Sequence, residues 1–193
     1  MKKLFTFYEI YDICLKFFRG IIRFIKSKKN GIMNEKLQER IMLAVTGVNK
    51  CSMCSYAHTK TAFEAGLSDN EIKAYLDTDF TNVPTNEAKA ILFAQHYADT
   101  RGKVSKSSWD ELVKEYGIEK AEAILSAIRA IMLGNATGIP AGSFINRIKG
   151  KKSDNRSSLV YELTVFILLI PILLFSLLHA IILNLFGVSI LKF

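Results

Sequence analysis

The 193-residue sequence predicts an all-α protein: a helical body between an amphipathic N-terminal helix and a hydrophobic C-terminal helix, a candidate transmembrane segment. Three observations predict it. No stretch sustains the period-two alternation of a half-buried strand. Helix-capping residues, among them Asn34 and the pairs Ser68/Glu71 and Ser108/Glu111, precede runs of helical apolar spacing. Residues 163–191 contain no charged side chain.

Composition sets the outer limits. With 50% hydrophobic and 23% charged residues, the chain is neither disordered nor low in complexity. Three cysteines do not make a secreted disulfide scaffold. The net charge of +8 is unevenly placed: residues 1–30 carry +6, residues 31–146 carry −2 and residues 147–156 carry +4. A nucleic-acid binder would more often hold its basic residues on the folded body. Basic segments beside hydrophobic ones point to an anionic membrane surface instead. The chain thus divides into a basic N-terminal helix (1–30), a body (31–150) and a basic linker with a hydrophobic segment (151–193).

The elements follow in order. Residues 4–27 read as an amphipathic helix whose Glu9, Asp12, Lys16, Arg19, Arg23 and Lys26 recur every three or four positions on one stripe. That helix either lies in a membrane interface or covers an apolar groove of the body or the C-terminal helix. Cys14 on its apolar side reads as a small buried hydrophobe. Asn34 caps a helix to about residue 48. A second helix spans about 52–65 and stops at Gly66. Ser68 with Glu71 opens a third. Thr85 caps a fourth, to about residue 100. Ser108 with Glu111 opens a short fifth. Residues 119–133 form a sixth that ends at Gly134, and residues 141–148 form a short last one. The uncharged residues 163–191 are long enough to span a bilayer core of about 30 Å. Pro171 inside them is tolerated in a membrane helix. Arg147, Lys149, Lys151, Lys152 and Arg156 lie just before them, so a spanning segment would leave the body in the cytoplasm. The alternative is a helix buried against the N-terminal segment or a partner subunit.

Residues 51–58 read CSMCSYAH. Cys51 and Cys54 share a helix face, and His58 continues it. Near a helix start, unpaired N–H groups and the macrodipole favour thiolate over thiol. An imidazole nearby can relay a proton. The pair can also be read as half of a zinc site with His58 and His96, or as inert core cysteines. No second CxxC or HxxxH pair exists to complete a zinc site. Trp109, His96 and His179 carry no motif and read as structural.

Residues 39–72 resemble the alkyl hydroperoxidase D branch of the carboxymuconolactone decarboxylase family. The branch pattern is a glutamate, eleven residues, CxxC, three residues and a histidine, matched here by Glu39, Cys51, Cys54 and His58. Residues 128–150 are similar to the closing helices of many members. The resemblance spans about 120 residues and leaves out the first 30 and the last 40. It implies an alkyl hydroperoxidase D-like all-α fold, often assembled as a trimer or hexamer. It also implies thiol peroxidase chemistry with no cofactor or metal beyond the cysteine pair. Cys54 would attack the hydroperoxide and become sulfenic acid, and Cys51 would relay a proton and then resolve it to a disulfide. Glu39 and His58 would form the activating relay, and an external dithiol would reduce the disulfide. Some members place a histidine between the cysteines; this chain has Met53, which shortens the relay. That departure leaves room for an oxidoreductase that only exchanges disulfides. A lactone-ring decarboxylase and a non-enzymatic membrane interaction protein are the other readings. Cysteine substitutions would leave the last of these working normally. A membrane tether would suit a lipid hydroperoxide substrate.

Overall fold

The computed structural model describes residues 3–81 and 83–191. Among them are seven helices and no strand: α1 (Phe7–Lys29), α2 (Glu35–Asn49), α3 (Ser52–Glu64), α4 (Asp69–Leu76), α5 (Ala88–Asp99), α6 (Lys106–Ile148) and α7 (Leu159–Leu185). The all-α expectation holds. Local chemistry sets most of the starts. The Asn34 carboxamide accepts the Leu37 N–H at 2.7 Å. Ser68 and Glu71 form the expected reciprocal capping box. Thr6 and Glu9 form another at the head of α1, which the sequence reading passed over.

Some boundaries differ, each for a physical reason. The fourth expected helix starts at Ala88 rather than near Thr85, and Glu87 is its N-cap without a side-chain cap bond. The Glu87 carboxylate is committed elsewhere, to Arg40 at 2.8 Å. The fifth starts at Lys106, because Ser105 accepts the Ser108 N–H at 3.1 Å and caps it first. It bends at Gly117, whose φ of 75° a residue with a side chain rarely adopts. Beyond Gly117, α6 runs unbroken through Gly134 and Pro140 to Ile148. The stop at Gly134 and the separate helix at 141–148 do not exist. Local propensity loses here to packing, since α6 contacts α1, α2, α3, α5 and α7.

The core is built on α2 and α6. Leu37, Ile41, Leu43, Ile91, Ile124, Leu125 and Ile128 are fully or almost fully buried within it. A buried guanidinium ties three elements together: Arg40 of α2 reaches Glu71 of α4 at 2.9 Å and Glu87 at the head of α5 at 2.8 Å.

α1 lies against α6 and α7. Of the two expectations for this helix, packing on the body and the C-terminal helix is the one found. Several residues of its charged stripe are engaged by the protein. Arg19 is only 7% exposed, Arg23 pairs with Glu122 of α6 at 2.8 Å, and Glu9 pairs with Arg101 at 2.5 Å. Ile22 and Ile25, which lie outside that stripe, are exposed. Cys14 is fully buried, as expected, and burial pushes its thiol up to about 11.

Among the described residues, two helices, α6 and α7, are long and apolar enough to cross a membrane. Burial separates them: the apolar window of α6 is 78% buried in the protein and that of α7 only 17%. Two arginines of the basic run before α7 serve packing. Arg147 pairs with the buried Glu162 at 3.1 Å, and Arg156 donates to the Asn49 and Lys50 carbonyls at the end of α2.

Candidate functional site

The site forms where α3 begins, against α2 and α6. Cys51 is the N-cap of α3, and its sulfur accepts the Cys54 N–H at 3.3 Å. A sulfur at this position sits in the positive end of the helix, which favours negative charge on it. Cys51 and Cys54 are joined as a disulfide with Cα atoms 5.3 Å apart. Cys51 is fully buried and Cys54 is 8% exposed, so Cys54 is the residue of the pair nearer to solvent.

His58 stands one turn beyond Cys54 on α3. Its Nδ1 lies 2.8 Å from Oε2 of Glu39 on α2. Glu39 is 2% exposed. Its other oxygen, Oε1, accepts from Gln38 Nε2 at 3.3 Å. Both carboxylate oxygens are therefore occupied, and the residue is fixed in orientation. The four residues of the spacing pattern come together from two helices: Cys51, Cys54 and His58 on α3, Glu39 on α2. Gln38 supports Glu39, and the sequence reading did not single it out. Its position next to Glu39 carried no distinguishing signal.

The floor of the site is α6. A Cβ added at Gly138 would meet the Cys54 sulfur at 2.8 Å and the Cys51 sulfur at 3.1 Å. Only a residue without a side chain lets α6 approach the pair this closely. The sequence reading placed a helix stop at Gly134 and gave Gly138 no role. Beside the pair is a cavity of about 360 Å³ lined by Ser52, Met53, Tyr56, Gly142, Ile145 and Asn146. Met53 is 45% exposed and faces this cavity. A larger cavity, about 630 Å³, lies between α1, α6 and α7 and is lined by Tyr11, Arg19, Arg129 and His179 among others. No residue of α2 or α3 lines it, so it lies apart from the cysteine pair.

His96 lines two separate surface pockets with residues of α5 and its neighbours, and Cys51 and Cys54 line neither. Among the described residues, no group of three or more His, Cys, Asp or Glu side chains could hold a metal ion. His179 meets the Tyr11 hydroxyl at 2.8 Å. Trp109 packs on Phe93, with ring centroids 6.3 Å apart.

Residues 15–95 match the model of the carboxymuconolactone decarboxylase family. The matched segment contains Glu39, Cys51, Cys54 and His58. The match begins inside α1, which the resemblance had left out. It stops before α6, so the likeness of residues 128–150 to closing helices lies outside it. No curated protein and no solved structure matches the chain.

Proposed function

We propose that the protein is a thiol-dependent peroxidase of the alkyl hydroperoxidase D-like branch, reducing organic hydroperoxides. The observation that carries this is the joined Cys51–Cys54 pair on the helix that also presents His58 to Glu39. In the cycle, the Cys54 thiolate attacks the distal oxygen of the hydroperoxide. The O–O bond breaks, Cys54 becomes sulfenic acid, and the alkoxide leaves with a proton as the alcohol. The Cys51 thiolate then attacks the Cys54 sulfur, the S–S bond forms, and hydroxide leaves as water once protonated. An external dithiol returns both cysteines to thiols by disulfide exchange. No cofactor beyond the cysteine pair is needed.

The roles rest on exposure and orientation. Cys54 is the more accessible of the pair, which suits the residue that meets substrate. Cys51, buried one turn away, suits the resolving thiol. With Glu39 accepting from Nδ1–H, the neutral His58 keeps Nε2 as the atom that can take a proton and give it back. Glu39 acts through His58 and is a positioning residue. Membrane association through α7, with the body on the cytoplasmic side, and a trimeric or hexameric ring complete the proposal.

The test is thiol oxidation state after a stoichiometric dose of organic hydroperoxide, read by mass spectrometry. Wild type is expected to form the Cys51–Cys54 disulfide, and Cys51→Ser to trap sulfenic acid on Cys54. If peroxide leaves both reduced thiols untouched in folded protein, the peroxidase cycle is wrong. Met53 favours a second reading. Its thioether stands where some members carry an imidazole and cannot relay a proton, which suits a pair that only exchanges disulfides. Reduction of a disulfide substrate without hydroperoxide turnover would establish it.

A further inference from the structure

The body holds α7 at both ends. At its start, the fully buried Glu162 pairs with Arg147 of α6 through bonds of 3.1 and 3.2 Å. Past its end, Arg19 of α1 donates to the Ser189 carbonyl at 2.8 Å and to the Val188 carbonyl. Arg129 of α6 donates to the Ile190 carbonyl at 2.7 Å. Between the ends, Tyr11 meets His179 at 2.8 Å, and Val165, Ser176 and Ala180 are buried. One face of the helix is therefore occupied along its whole length.

The opposite face is bare and apolar. Val160, Ile167, Ile170, Leu174, Leu178 and Leu185 recur every three to seven positions and are all exposed. The stripe runs the length of a 27-residue helix, about 40 Å at 1.5 Å per residue. Soluble monomers rarely expose a contiguous apolar patch of that extent. Exposed lysines lie just before α7 and at the end of α1: Lys149, Lys151 and Lys152 in the one place, Lys26, Lys28 and Lys29 in the other.

Crossing a bilayer would place the two anchored ends of α7 on opposite sides. The body is tied to both ends and would have to enter with it. Glu9, Asp12, Lys16, Arg19 and Arg23 on α1 would then come to membrane depth, where charges are expensive. A helix lying in the surface plane meets neither cost: polar and anchoring contacts stay on the protein side, and the apolar stripe alone enters lipid.

We propose that α7 is an in-plane anchor on an anionic lipid surface. Its outer stripe dips into the acyl boundary while α1 and α6 hold its inner face, and the lysines at its start contact lipid phosphates. This deepens the membrane association proposed above and rests on it.

The test uses the full chain and vesicles of phosphatidylcholine with phosphatidylglycerol. Tryptophan is introduced singly by Leu163→Trp, Leu174→Trp and Leu185→Trp, and quenching is compared for lipids brominated at shallow and deep acyl positions. Trp109, packed on Phe93 in the body, gives the unquenched baseline. An in-plane helix is expected to show all three positions quenched alike, and more by shallow bromine. Deep quenching at 174 with shallow quenching at 163 and 185 means a spanning helix and overturns the in-plane proposal, leaving membrane association intact. No vesicle binding, with a concentration-dependent rise in mass, means that a second copy covers the stripe and overturns both. Changing Lys149, Lys151 and Lys152 together to Gln is expected to weaken partitioning about 10²-fold. Unchanged partitioning would overturn the anionic part of the proposal.

Discussion

Nδ1 of His58 lies 2.8 Å from Oε2 of Glu39, across the packing of α3 on α2 and nineteen positions along the chain. A buried carboxylate is costly unless it is hydrogen-bonded. Here one oxygen is held by His58 and the other by Gln38. The contact fixes the imidazole one helical turn beyond Cys54.

Glu39→Gln keeps the shape of the side chain and removes its charge. The expected result is a fall of about 10²-fold in the rate of Cys54 oxidation by hydroperoxide, the range of a lost general acid–base group. Stopped-flow rates across pH check this, and circular dichroism checks the fold. An unchanged rate would reduce Glu39 to a structural residue.

Gly138→Ala is expected to disturb the pair without touching either cysteine. The new Cβ would stand 2.8 Å from the Cys54 sulfur, so α3 or α6 must shift. Overpacking of this kind costs about 1–3 kcal/mol. Thermal melts of the oxidised protein, with the disulfide potential measured against a glutathione buffer, read both effects. Gly134→Ala serves as the control, since its nearest contact is the end of the Ile131 side chain at 3.6 Å.

Cys14 is expected to stay inert. It is fully buried and its thiol titrates near 11, so at pH 8 it is neither accessible nor ionised. Alkylation of the reduced, folded protein, followed by peptide mapping, is expected to label Cys54 and spare Cys14. Rapid labelling of Cys14 would mean that α1 leaves the body on the timescale of the experiment.

Arg40→Met is expected to destabilise the body by about 3–5 kcal/mol, the cost of leaving buried charges unpaired. The pairing also carries a pH signature. The Arg40 guanidinium and the Ser68 N–H hold the Glu71 carboxyl below its ordinary value. A depressed folded pKa stabilises the protein fully above the unfolded value, about 4.3. That contribution is lost as pH falls through the folded pKa. Urea midpoints of wild type and Arg40→Met are expected to differ widely at pH 7 and to converge toward pH 3.

The legible and the illegible parts of the chain divide on locality. The caps at Asn34 and Ser68 were readable because a cap is a contact over three residues. The CxxC–His stripe was readable because helical spacing fixes which side chains share a face. The long α6 was not. Gly134 and Pro140 favour a break locally, and the packing of five other helices against α6 overrides them. Gly138 was missed for a related reason: its value lies in what approaches it, the two sulfurs from α3.

By itself the sequence determined the helical class, the placement of Cys51, Cys54 and His58 on one helix, and the apolar character of residues 163–191. These are short-range or compositional properties. Tertiary structure alone decided the partners of the charges. It turned Arg19 and Arg23 of α1 inward, gave Arg147 to Glu162 and Arg156 to the end of α2, and laid α7 along the body with its outer face bare. An apolar pattern states that a helix avoids water, and lipid and protein satisfy it equally. Which of them covers each face depends on what the rest of the chain brings beside it.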